Sequence, residues 1–109
     1  MKLITEFENY VTSVYNLSEL DRTISEDGHV VSYALTCRSN EHQFINIKQV
    51  DDDYIRFEMY FENIRIQSDY CFTNETPETQ MKIIKRLFEN TISDYKRDIW
   101  DINEITKKD

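Results

Sequence analysis

The sequence predicts an α+β domain in two layers: a four- to five-stranded antiparallel β-meander flanked by an N-terminal helix and a long C-terminal helix. Three observations carry that expectation. Apolar residues recur at helical spacing near both ends, apolar/polar alternation fills much of the middle, and turn residues punctuate that alternation at short intervals. The chain has 109 residues, 39% hydrophobic and 13% aromatic, which is enough apolar material for a single domain, 1–109, with its own core. Gly28 and Pro77 are its only Gly and Pro. That excludes glycine-rich phosphate loops and proline-rich linkers, and implies short connections.

Taken in order, residues 3–17 place Leu3, Phe7, Tyr10, Val14 and Leu17 at helical spacing, with Ile4, Val11 and Tyr15 widening the stripe. Glu6 and Glu8 near the start suit the helix dipole. The meander occupies about residues 20–72. Leu20 to Arg38 reads as a hairpin turning at Asp27-Gly28, a strong two-residue turn signal, with Ile24 opposite Val31 and Leu20 opposite Leu35. Its first strand has an alternative, since Ser18-Glu19-Leu20-Asp21 equally suits the opening of a short helix. Gln43 to Val50 is the next strand. A turn at Asp51-Asp52-Asp53 then sets Ile47 opposite Phe57 and Ile45 opposite Met59.

From Tyr54 to Phe61 the odd positions are Ile, Phe, Met and Phe, and the even ones Tyr, Arg, Glu and Tyr, so one face is buried and the other wet. A two-residue turn at Glu62-Asn63 pairs Phe61 with Ile64. The same register opposes Met59 to Ile66 and Ile55 to Tyr70 on the buried face, and Arg56 to Asp69 on the other. The last element opens with Thr76 as N-cap, Pro77 at the first helical position and Glu78 in the first turn. Met81, Ile84, Phe88, Ile92, Tyr95, Ile99 and Ile102 form its stripe. A helix from Pro77 to about Thr106 spans ~45 Å against ~30 Å for a nine-residue strand, so Trp100, Ile102 and Ile105 are expected to overhang the sheet and make a contact.

The net charge is −8, from 21 acids and 13 bases. A chain so acidic is repelled by nucleic-acid backbones and anionic membranes, so neither is an expected partner. Most of the excess lies in residues 1–62, with 12 acids and 5 bases. Met1-Lys2-Leu3-Ile4-Thr5-Glu6 meets an acid before an apolar run develops, which argues against a signal peptide, and no stretch reaches membrane-spanning length. Cys37 and Cys71 lack metal-ligand spacing, and the chain reads as cytoplasmic, in a bacterial cell or phage-infected host.

No catalytic, cofactor or metal signature is present. His29 and His42 fall at opposite ends of the meander. Cys37 is placed on the core face and Cys71 on the other, which disfavours a disulfide. Asp51-Asp52-Asp53 lacks the alternation, Gly and terminal Glu of a calcium loop. Acid pairs on turns stay in water, unlike the buried carboxylates that do acid–base work.

The acids become informative once topology is added. Turns of an antiparallel meander alternate between its ends, so Glu26, Asp27, Asp51, Asp52, Asp53, Glu75 and Glu78 arrive at one edge. Adjacent acidic turns there are ~10 Å apart, an array that imitates a row of phosphates and suits a basic protein, such as a nucleic-acid-binding enzyme. A second interface is expected on the other sheet face, around Phe44, Tyr54 and Tyr60, unless the N-terminal helix covers it.

In size, acidity and scarcity of Gly and Pro the chain is similar to small inhibitors of phages and mobile elements, DNA mimics and anti-CRISPR proteins among them. That likeness carries no motif and transfers no residue. Its wealth of Ile, Asn, Lys, Asp and Tyr suits an AT-rich genome. The expectation is a non-enzymatic, protein-binding inhibitor without cofactor. The alternatives are an immunity protein against a basic toxin and a structural or assembly subunit that self-associates, for instance as a homodimer.

Overall fold

The computed structural model describes residues 2–16, 20–37, 40–61, 64–95 and 106–108. The elements run α1 (Lys2–Val14), β1 (Tyr15–Asn16), β2 (Leu20–Ile24), β3 (Val30–Cys37), β4 (Asn40–Gln49), β5 (Tyr54–Phe61), β6 (Ile64–Phe72), α2 (Pro77–Tyr95) and β7 (Thr106–Lys107). Strands β2 to β6 form one antiparallel sheet in sequence order, and β1 pairs with β7 in a separate ribbon. This is the α+β meander with a helix before and after it.

Both helices lie on the same face of the sheet. Phe7 of α1 stacks against Tyr33 of β3 and Phe88 of α2, and Phe88 also meets Phe44 of β4 and Tyr15 of β1. The core joins these rings to Val11, Val31, Ile45, Ile47, Phe57, Met59 and Ile84. Each such side chain contributes roughly 1.5–3 kcal/mol by leaving water. The N-terminal helix therefore does not cover the far face of the sheet, because its apolar stripe is used beside α2.

The registers of β2–β3 and β4–β5 match the alternation, with Ile24 opposite Val31, Leu20 opposite Leu35, Ile47 opposite Phe57 and Ile45 opposite Met59. The first hairpin closes through a wider turn than two residues. The Gly28 N–H bonds Ser25 C=O at 3.0 Å, and Gly28 takes φ 77°, a conformation that favours Gly.

Two irregularities shift the pattern elsewhere. Between Tyr33 and Ala34 the β3–β4 register slips, so Tyr33 pairs with Ile45 and Ala34 with Gln43. Phe44 is the extra residue, and the bulge turns it into the core at 1% exposure. In β5–β6, Phe61 pairs with Ile64 as the turn demands, but a slip at Met59/Tyr60 makes Ile66 the extra residue. Met59 then faces Gln67, Ile55 faces Cys71, and Arg56 faces Tyr70 instead of Asp69. Cys71 lies buried toward the helices rather than on the far face.

The helices also depart from their expected lengths. α1 stops at Val14, and Tyr15 is already extended. α2 begins as its sequence implies, with the Thr79 N–H bonding Thr76 Oγ1 at 3.2 Å. It does not continue to Thr106, which is extended and pairs with Asn16. Trp100, Ile102 and Ile105 lie outside the described residues.

Candidate functional site

The acidic end is assembled by hydrogen bonds between neighbouring turns. The Gln49 N–H donates to His29 C=O at 2.8 Å, tying the β4–β5 turn to the β2–β3 turn. The Thr73 N–H donates to Asp53 C=O at 2.8 Å, and its hydroxyl to Asp52 C=O at 2.6 Å, tying in the segment between β6 and α2. Six of the seven acids are exposed and Glu75 is half-buried.

Three of these carboxylates also close their own turns. Asp27 accepts the Ser25 hydroxyl at 2.6 Å and the His29 N–H at 2.9 Å. These bonds, the Ser25 one first, hold its carboxyl below the usual aspartate range. Asp51 Oδ1 accepts the N–H groups of Asp53 and Tyr54 at 2.7 and 3.2 Å, an Asx turn. Glu75 accepts the Phe72 N–H at 3.1 Å. Glu26, Asp52, Asp53 and Glu78 point to solvent without a side-chain partner among the described residues.

Among the described residues, no helix lies on the far sheet face. Tyr54 and Tyr60 lie on it as the alternation indicates, whereas Phe44 has moved to the core. The bulge at Ile66 brings Tyr70 and Phe72 to this face, and they are among the most exposed large apolar side chains described. Uninterrupted alternation assigns Tyr70 to the core instead. The available signal was Ser68, a polar residue that uninterrupted alternation places on the apolar face between Ile66 and Tyr70.

Next to them Glu58 is 5% exposed, held by Arg65 at 3.0 Å and by the Tyr60 hydroxyl at 3.3 Å. Burial first, and then the neighbouring carboxylate, raises the Tyr60 hydroxyl above its ordinary value.

Chemically, the acidic end offers charge and hydrogen-bond acceptors. Among the described residues no cluster of three or more His, Cys, Asp or Glu is arranged to hold a metal ion, and no helix is long and apolar enough to cross a membrane. Comparison of the chain with protein-family models, curated proteins and solved structures gives no match.

Proposed function

We propose that the protein is a non-enzymatic inhibitor that docks on a basic partner through its acidic turn end. The observation that carries this reading is the chain of inter-turn hydrogen bonds, His29 to Gln49 and Asp52-Asp53 to Thr73. They hold three separate connections together, so the acids these turns carry are kept on one rim. A basic channel that accepts phosphates would accept such a rim, which makes a nucleic-acid-binding protein the fitting partner.

Exposed charges act mainly on association rate, and each alone contributes little. Asp52→Asn alone is therefore expected to be nearly silent. The triple variant D51N/D52N/D53N is expected to associate several-fold more slowly and with a flatter salt dependence. It should keep its fold, since the Asp51→Asn change retains a side-chain oxygen that can close the Asx turn.

The measurement is competition with duplex DNA for a panel of basic DNA-binding enzymes, followed by association kinetics at low and high salt. Equal rates and equal salt dependence for wild type and triple variant remove the acidic end from the mechanism.

A further inference from the structure

We propose that the open sheet face carries a separate binding site, a groove for the planar ring and phosphate of a nucleotide. The groove holds about 600 Å3 and lies between Tyr54, Arg56, Arg65, Ser68, Tyr70 and Phe72, within the size range of small-molecule sites.

Its charge is the first argument. Lys48 and Arg56 stand directly opposite each other on β4 and β5, and like charges so placed repel. Neither has a carboxylate or other side-chain partner among the described residues, in a chain with 21 acids. Arg65 is held by Glu58 yet keeps half its side-chain surface exposed. Asp69 also lines the groove, but it pairs with Phe57 on the helix side, and its oxygens are engaged by Arg86 of α2 at 3.4 Å and the Tyr70 N–H at 2.8 Å. The groove is thus locally cationic on an anionic molecule, and an anion bound at Arg56 relieves the repulsion with Lys48. A guanidinium is the side chain best shaped for a phosphate.

The aromatic rings supply the second argument. Tyr54 and Tyr70 meet edge to face at 6.0 Å, and Tyr70 and Phe72 at 5.7 Å. Tyr70 is 54% and Phe72 47% exposed, so ring surface remains open for a base to stack.

Two features set the kind of ligand. An extended peptide gains most from backbone pairing along a sheet edge. Here the N–H groups of Tyr70 and Phe72 are already taken by Asp69 and Glu75, at 2.8 and 3.1 Å. A long polynucleotide would run on toward Asp51-Asp52-Asp53, which immediately precede Tyr54, and be repelled within a Debye length. A single nucleotide satisfies both limits.

The test is titration of the full chain with adenosine and guanosine monophosphate, by calorimetry and by amide chemical shifts. Inorganic phosphate, adenosine, a short single-stranded oligonucleotide and an acidic peptide serve as comparison probes. The nucleotides are expected to bind, shifting the amides of Arg56 and Tyr70. Arg56→Gln and Tyr70→Ala, both on the surface, should each weaken them roughly tenfold. Arg56→Lys should recover part of the loss, and Lys82→Gln, on the opposite layer, should change nothing. Equal binding of phosphate or adenosine alone, tighter binding of the oligonucleotide or the peptide, or no saturable binding at all overturns the proposal. None of these results bears on the acidic end, whose residues the variants leave untouched.

Discussion

Phe57 has no exposed surface and faces the helices from the middle of the sheet, with Ile47 on one side and Asp69 on the other. Phe57→Ala is expected to lower stability by ~3–5 kcal/mol, since a buried aromatic loses both transfer free energy and packing. Phe44→Ala should fall in the same range, although simple alternation assigns Phe44 to the open face, and Tyr54→Ala clearly below both. Urea titrations of the three variants check the order, and Tyr54 ranking above either Phe would mean that the strand faces are misassigned. Cys71 gives a chemical version of the same test. Burial first, then the nearby Glu75 and Asp69 carboxylates, pushes its thiol up to about 11, so near neutral pH it is both shielded and protonated. Alkylation of Cys71 by iodoacetamide at mildly alkaline pH should be slow in the native protein and fast in urea, read by mass spectrometry. Equal rates would place the thiol at the surface.

At the scale of elements, most of the sheet was legible and its two slips were not. Period-2 patterning fixes which neighbours share a face only while one residue opposes one residue. A bulge breaks that count without leaving a composition signal, since Phe44 and Ile66 are ordinary apolar strand residues. The N-cap Thr76 and the position of the turn at Gly28, though not its width, were legible because each depends on one local hydrogen bond or one φ angle. The end of α1 was not, because Tyr15 continues the apolar stripe of the helix while its backbone turns extended to meet β7. Strand β6, at the sheet's edge, adds a feature of its own. Exposed edges invite pairing with other chains, and at its C-terminal end the N–H groups of Tyr70 and Phe72 are closed by the Asp69 and Glu75 carboxylates. The double variant D69A/E75A is expected to remain folded and to associate as concentration rises, measured by light scattering after gel filtration. A strictly monomeric double variant would show that these carboxylates do not guard the edge.

For the molecule as a whole, the turn end carries carboxylates, one sheet face carries both helices, and the other carries rings beside Lys48, Arg56 and the Arg65–Glu58 pair. The acidic end was legible before the structure because turn alternation follows from meander topology alone. The open face was half legible, since it depends on where α1 docks, and that is decided by the fit of Phe7 between Tyr33 and Phe88. The two ends of the described chain are also joined. The Lys108 N–H bonds Val14 C=O, and its ammonium bonds Thr12 C=O, each at 2.7 Å, so carbonyls left over at the end of α1 find donors and a favourable charge. Lys108→Ala should lower stability by about 0.3–1 kcal/mol and speed amide exchange in the last turn of α1, whereas unchanged exchange would show the contact to be idle. That clasp also orders events in time. Ribosomal synthesis makes α1 before the sheet and Lys108 after it, so the first helix waits for a residue made later than every strand of the meander before its last turn is closed. The ribbon of Tyr15-Asn16 with Thr106-Lys107 encloses the whole five-stranded sheet in one loop, and closing so long a loop is repaid only after the sheet within it has formed. Emergence of residues 106–108 from the ribosome, rather than growth of the sheet, therefore sets when the end of α1 is clasped.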